Sequence, residues 1–249
     1  MLMFRHNSYN LNAAVRVYAL QRQVMKMFKI FLLVSFSIVA GCAKEEEDAL
    51  EIMAHSYDFN ESIGEWAPEF TDYPVSQDTD ADTVYRWKAE YVNLPSNNRS
   101  KALMLSCNNL SGDVFMFLKK KIDHLKPNTN YRLVYEISFS SNIIAGSGLT
   151  LKAGGSELEP KKIIEDNYYT LNLDKGYDTN SGENLASLGD AGATTAELMT
   201  KGNTNAYQPL VVRSNSKGEI WLVVGTDSLV QGINSVYYSK INVILSVSA

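Results

Sequence analysis

Apolar and polar positions alternate most clearly between Asn130 and Phe139. There Tyr131, Leu133, Tyr135, Ile137 and Phe139 share one face, and Arg132, Glu136 and Ser138 the other, with Val134 the one apolar exception. A period of two predicts an antiparallel strand buried on one face. Just upstream, Asp113–Ile122 contains Val114-Phe115-Met116-Phe117-Leu118, apolar on both faces, which predicts a strand covered on both sides. A third strand is predicted at Ala102–Ser106. The Cys107–Gly112 stretch reads as a polar loop, and Asp123–Asn130, with Pro127 and Asn128, as a turn. The rest of the chain is organised around this block.

Upstream of it, Phe70-Thr71-Asp72-Tyr73-Pro74 leads into an acidic polar stretch through Asp82. Tyr85, Trp87 and Tyr91 follow, and Leu94–Lys101 reads as a polar loop. Downstream, Leu149 and Leu151 predict a short strand ended by a turn at Lys152-Ala153-Gly154-Gly155. Ile163-Ile164 and Tyr168–Leu171 predict a pair of strands. Residues 174–205 show no sustained periodicity, with one short helix expected over Ala191–Lys201. Gly218–Gly225 is a second strand apolar on both faces, and Ile241, Val243, Leu245 and Val247 close the chain in alternation. Many short strands, no internal repeat and no amphipathic helix of useful length predict an all-β fold, a single antiparallel sandwich with long loops.

The first 41 residues read as targeting rather than fold. Lys26 and Lys29 precede the apolar run Ile30–Val39, and Val39-Ala40-Gly41-Cys42 follows. That run is too short for a helix spanning a bilayer, which needs about 20 apolar residues, and fits a secretory signal peptide. Residues 1–24 make an unusually long n-region, so that Met25 or Met27 suits a start better. The ending looks like a bacterial lipobox, which makes Cys42 the candidate lipidation site. Cleavage there removes Arg5, Arg16, Arg22, Lys26 and Lys29 and no acid, taking the formal charge from −5 to −10. An acidic domain disfavours nucleic acid and anionic membranes as partners, so membrane attachment is expected through the lipid alone. Residues 42–56, with Lys44-Glu45-Glu46-Glu47-Asp48, read as a solvated tether, and 57–249 as the sandwich domain. With Cys42 acylated, Cys107 is the one remaining thiol, which leaves no disulfide and no cysteine metal site.

Several stretches resemble known proteins. Phe59-x-x-x-x-Gly64-x-Trp66 looks like the opening of carbohydrate-binding-module jelly rolls. Together with Phe70-x-Asp72-Tyr73-Pro74, Asn108-Asn109-Leu110-Ser111-x-Asp113-x-Phe115-Met116-Phe117-Leu118-Lys119, Leu125-x-Pro127-Asn128-Thr129-x-Tyr131, Asn172-x-Asp174-Lys175-Gly176, Leu188-Gly189-Asp190 and Gly225-Thr226-Asp227-Ser228, it resembles a family of bacterial secreted lipoproteins of the Bacteroidetes type that has no assigned activity. The resemblance implies a galactose-binding-like jelly roll. Similarity of Lys44 and the acids after it to an export signal implies the outer face of the outer membrane as its address. Cys107 stands where the family leads one to expect Gly, in a loop where a small side chain suits a turn. Many galactose-binding-like jelly rolls hold a structural calcium through paired acids in the last strand. Here that place reads Tyr238-Ser239-Lys240, so the usual site is absent or moved. Asp72, Asp174 and Asp190 remain as metal candidates, with turn capping as the plainer account of each.

Catalytic patterns are sparse. After Cys42 the histidines are His55, in the expected tether, and His124, in a turn, and neither sits in a triad or metal context. Glu157-x-Glu159 runs into Pro160, and no phosphate-cradling glycine loop is present. The expected function is therefore a surface-exposed lipoprotein with a non-catalytic domain that binds a glycan or another extracellular ligand. The alternative is a structural subunit of an outer-membrane or fimbria-like assembly, with a glycoside-active enzyme behind both. Sugars stack on exposed aromatic rings and are oriented by amide and carboxylate hydrogen bonds. Tyr73, Trp87 and Tyr177, with Asp72, Asn108 and Asn109 as polar partners, are the candidate ligand residues, and Tyr207 is a further aromatic in a loop-like stretch. Trp66 and Trp221 are expected in the core.

Overall fold

The computed structural model describes residues 51–75, 81–194, 197–203 and 209–248. The expected signal peptide, Cys42, the expected tether up to residue 50 and Tyr207 lie outside the described residues. Among the described residues the strands are β1 (Ile52–Asp58), β2 (Ala67–Thr71), β3 (Tyr73–Pro74), β4 (Lys88–Leu94), β5 (Asn97–Asn109), β6 (Val114–Ile122), β7 (Asn130–Ser141), β8 (Leu149–Ser156), β9 (Lys162–Glu165), β10 (Tyr168–Leu171), β11 (Leu185–Asp190), β12 (Met199–Gly202), β13 (Leu210–Arg213), β14 (Ile220–Ser228) and β15 (Gly232–Val247). One short helix, α1 (Ala81–Tyr85), precedes β4. The expected all-β class holds.

The larger sheet runs β12-β7-β15-β5-β4, with β13 continuing along β7 and β1 along β15. The smaller runs β11-β8-β14-β6-β2, and a third sheet, β3-β10-β9, stands apart from both. The named strands pair antiparallel throughout. Take β5, β6, β7, β8, β11, β12 with β13, β14 and β15 as eight successive strands. The first, eighth, third and sixth then lie side by side in one sheet, and the second, seventh, fourth and fifth in the other. Successive strands crossing between two sheets in this order make a jelly roll, which keeps strongly paired strands at its centre and leaves short ones at the rims.

The alternation in β7 has the predicted outcome: Tyr131, Leu133, Tyr135, Ile137 and Phe139 are fully buried. They belong to one inter-sheet core with Val114, Met116 and Leu118 of β6, Leu222 and Val224 of β14, and Val236, Ile241 and Val243 of β15. The opposite face of the smaller sheet is covered too. Phe115, Phe117 and Val223 pack with Leu171, Leu173 and Leu185 in a separate second core. The segment after β8 folds back as a lid, which is why β6 and β14 are apolar on both faces. Trp66 is buried as expected and Phe59 is buried with it, joined by Gly64 at φ +57°, whereas Trp221 is only half-buried, with Lys119 Nζ 6.0 Å from its ring centre.

Several boundaries differ from expectation. Leu94–Lys101 is no loop: β4 and β5 meet there in a hairpin around Pro95-Ser96, polar because it projects beyond the core. The presumed Cys107–Gly112 loop begins only after Asn109, and Cys107 sits inside β5 opposite Asn234. No turn selects its side chain, and burial pushes its thiol up to about 12, leaving it an inert core residue. Lys152–Gly155 continues β8, because Lys152 finds buried carboxylate and carbonyl partners. A Cβ on Gly154 would come within 2.0 Å of the Asn184 carbonyl oxygen, so glycine there serves close packing rather than a turn. In place of the helix over Ala191–Lys201 stand a bridge between Ile144 and Ala193 and the strand β12, with residues 195 and 196 outside the described ones. Pairing of β1 with β15 begins at Ile52, so His55 is a strand residue rather than part of a tether.

Candidate functional site

The outer face of the smaller sheet ends in charge. Asp227 of β14, Lys152 of β8 and Asp113 at the start of β6 continue the row that carries Phe115, Phe117 and Val223, and Asp72 enters from the kink between β2 and β3. Asp72 has φ +69°, and its backbone N–H donates to the Tyr169 carbonyl at 2.6 Å, which turns its side chain inward. Carboxylate oxygens of Asp72, Asp113 and Asp227 lie within 4.8 Å of one another.

Two ammonium groups hold this cluster together. Lys175 Nζ lies 2.7 Å from Asp227 Oδ2 and 3.0 Å from Asp72 Oδ2, with its charge 5.5 Å from the Phe115 ring centre. Lys152 is wholly buried. Its Nζ lies 3.2 Å from Asp227 Oδ2 and donates to the carbonyls of Lys175 at 2.9 Å, Gly176 at 3.1 Å and Asn180 at 3.1 Å. Buried charges are tolerable only when so surrounded. Lys152 therefore clamps the 175–180 backbone from below while Lys175 clamps it from the side.

Burial, aided by the negative charges of Asp227 and Asp113 and opposed by Lys175, pushes the Asp72 carboxyl up to about 6. Burial also raises Asp113, with Lys175 opposing and Asp227 and Asp178 adding to the rise. Desolvation lowers Lys152. For Lys175 desolvation works downward, but the carboxylates of Asp72 and Asp227 outweigh it and hold the ammonium charged.

The predicted site residues do not come together as one site. Asp72 enters the ion cluster, while adjacent Tyr73 turns away into an aromatic cluster, its ring 5.2 Å from Tyr85, 5.2 Å from Trp87 and 5.0 Å from Tyr169. Trp87 stacks on Phe70 and on Tyr85, each at 4.7 Å, so protein rings already engage the ring offered as a sugar platform. Asn109 is fully buried. It donates to the Ser228 carbonyl at 2.9 Å and accepts from Gly112 N–H at 2.8 Å. Asn108 donates to the Val84 carbonyl at 3.3 Å. Asn108 thus ties α1 to β5, and Asn109 ties β14 and the turn at Gly112 to β5. Tyr177 stands out: it is 66 % exposed, two residues after Lys175 on the clamped segment.

Nor do the three metal candidates converge. Asp174 accepts from Gly176 N–H at 2.9 Å and Glu183 N–H at 2.8 Å, bonds that hold its carboxyl below the ordinary range. Asp190 accepts from Gly146 N–H at 2.8 Å and Gly192 N–H at 2.9 Å. Both cap turns. The acidic group that does converge, Asp72 with Asp113 and Asp227, already contains an ammonium, a poor fit to a calcium ion that needs 6–8 oxygen ligands. Asp113, Lys175 and Asp227 figure in the sequence only inside the stretches that resemble the lipoprotein family, with no role attached, and Lys152 only in an expected turn. The one local signal was a polar Thr226-Asp227-Ser228 ending to an otherwise apolar strand.

No family model matches this chain, and no curated protein matches it either. Solved structures of similar fold include a protein of Bacteroides thetaiotaomicron described as a candidate sugar-binding protein, 12 % identical with a TM-score of 0.41, covering 74 % of this chain and 88 % of that one. Another is a carbohydrate-binding module that recognises mannan, 14 % identical with a TM-score of 0.37, covering 80 % and 99 %. A third is the enzymatically active domain of a tailspike protein of bacteriophage CBA120, 11 % identical with a TM-score of 0.36, covering 73 % of this chain and 20 % of that one. The chain thus spans about a fifth of that tailspike chain. Values this low speak to neither residues nor ligands.

Proposed function

We propose that the sandwich is a non-catalytic glycan-binding domain, carried at the cell surface by a lipid on Cys42, and that the ligand is taken on the clamped 174–184 segment. The carrying observation is Tyr177, 66 % exposed on a stretch whose neighbouring side chain and carbonyls are tied down by buried ion pairs. An aromatic ring facing solvent from a backbone held in place offers an apolar platform to the C–H face of a sugar. Half-buried Asp113, whose carboxyl is raised by burial first and then by Asp227 and Asp178, supplies carboxylate acceptors near the same segment. Asp72 and Asp227 are buried and share Lys175, which leaves neither as a general acid at an open cleft and favours binding over hydrolysis. The anchor and the outward-facing address rest on the lipobox-like ending and the acidic run after it.

A glycan array probed with the intact chain, with and without calcium, tests the reading. Specific hits that vanish in Tyr177→Ala are expected in both conditions. An array blank in both conditions overturns glycan binding, and hits unaffected by Tyr177→Ala move the site elsewhere. Metabolic labelling with a fatty acid, lost in Cys42→Ser, tests the anchor.

A further inference from the structure

The outer edge of the larger sheet is formed by β4, which pairs with β5 and, among the described residues, with no other strand. Natural proteins blunt such edges with proline, bulges, very short strands or charged side chains, and on β4 the charges are of opposite sign, Lys88 and Glu90. Other rims of this molecule follow that rule. Pro68 lies in β2, a register shift interrupts β11 between Ser187 and Gly189, and β12 and β13 are four residues each. By contrast, β4 is seven residues long, and its one irregularity falls at the end, between Asn93 and Leu94. Lys88, Ala89, Glu90 and Tyr91 are all exposed.

The sequence of this edge is self-complementary. Trp87-Lys88-Ala89-Glu90-Tyr91 reads aromatic, cation, small, anion, aromatic. An antiparallel copy paired about Ala89 sets Lys88 opposite Glu90 of the second copy, twice, and Trp87 opposite Tyr91, twice. Lys88 and Glu90 lie on one face of the sheet, in register with Ser106 and Met104, while Ala89 and Tyr91 lie on the other, opposite Leu105 and Leu103. Centring the pair on Lys88 or on Glu90 instead sets like charges against each other, which disfavours both neighbouring registers of the same parity. The groups are also held ready. Tyr91 donates its hydroxyl to the Asn60 carbonyl at 2.9 Å, Trp87 is fixed by its stacking, and Lys88 Nζ and Glu90 Oε1 are 3.8 Å apart with both side chains more than half exposed.

We infer that β4 is a homodimer interface, two copies joining edge to edge about a two-fold axis at Ala89 to make one continuous sheet. Backbone hydrogen bonds supply the attraction and the paired charges select the partner and register. An edge-to-edge contact buries little surface, so the dimer is weak and salt-sensitive.

The test uses the intact chain carrying Cys42→Ser, which leaves buried Cys107 as its only thiol. Sedimentation should show a reversible dimer at high protein concentration. K88E and E90K should each weaken it by roughly tenfold, since two attractive pairs become repulsive. An equimolar mixture of K88E with E90K should dimerise again, one acidic edge against one basic edge, and the double variant K88E/E90K should self-associate. Ala89→Cys should form a disulfide-linked dimer under mild oxidation, and Asn93→Cys should not. A chain that stays monomeric at every concentration, single variants that dimerise like the parent, or linkage through Asn93→Cys in place of Ala89→Cys would each overturn the inference. Because rescue by mixing requires folded partners, misfolding cannot imitate the expected result.

Discussion

The two faces of the smaller sheet solve burial differently. Its inner face is mostly apolar, with Met116, Leu118, Leu222 and Val224 packed against the larger sheet and the polar Lys120, Thr226 and Ser228 only toward the strand ends. Its outer face starts the same way, with Phe115, Phe117 and Val223, then ends in two lysines and three aspartates. An apolar face tolerates repacking within its volume, whereas a buried ion cluster accepts one arrangement of donors and acceptors. The inner face thus joins the two sheets, and the outer one fixes where the 174–184 segment lies.

Removing the shared anion should have the largest effect. Asp227→Ala leaves Lys152 buried without a carboxylate and Lys175 with Asp72 alone, and denaturant unfolding should report a loss of about 3–5 kcal/mol. Phe117→Ala, which deletes an aromatic ring from the second core, should cost about 3–4 kcal/mol through its cavity. A much larger loss for Asp227→Ala than for Phe117→Ala would make the charge cluster the dominant element of that face, and the reverse would make it a minor one.

The pH dependence is subtler. An acid whose folded pKa is raised binds its proton more readily in the folded state, so this contribution is favourable below about 4 and is lost as pH rises to about 6. The change assigned to Asp72 is on the order of 3 kcal/mol, and Asp72→Asn should flatten this part of the stability profile. Its carboxyl carbon resonance should titrate near pH 6, and a midpoint near 4 would mean that Lys175 outweighs burial. Tyr177→Ala should have the smallest effect on folding, within about 0.5 kcal/mol, since the ring makes no core contact. An intact melting temperature combined with lost ligand binding would separate the site from its scaffold.

Much of the fold was legible because burial imposes period. Tyr131 to Phe139 alternate since one face of β7 meets water, and Val114 to Leu118 do not since neither face of β6 does. The errors arose where polarity stood in for exposure. Asn97–Lys101 looked like a loop because the β4–β5 hairpin leaves the core, and Lys152-Ala153-Gly154-Gly155 looked like a turn because a lysine and two glycines rarely continue a buried strand. Tyr177 was legible as a candidate; its buried supports were not. Lys152, Lys175, Asp72 and Asp227 come from distant parts of the chain, and no local pattern announces that they meet.

Local chemistry therefore determined what could be read residue by residue: the all-β class, the doubly covered central strands, the lipobox-like ending and its acidic sequel, and the capping character of Asp174 and Asp190. Strand order, the folding of the 157–184 stretch over a second core, and the meeting of three aspartates with two lysines were decided only in three dimensions. Hydrophobic period depends on a residue's own side of its own strand. An ion pair between residues 72 and 175 depends on every turn between them.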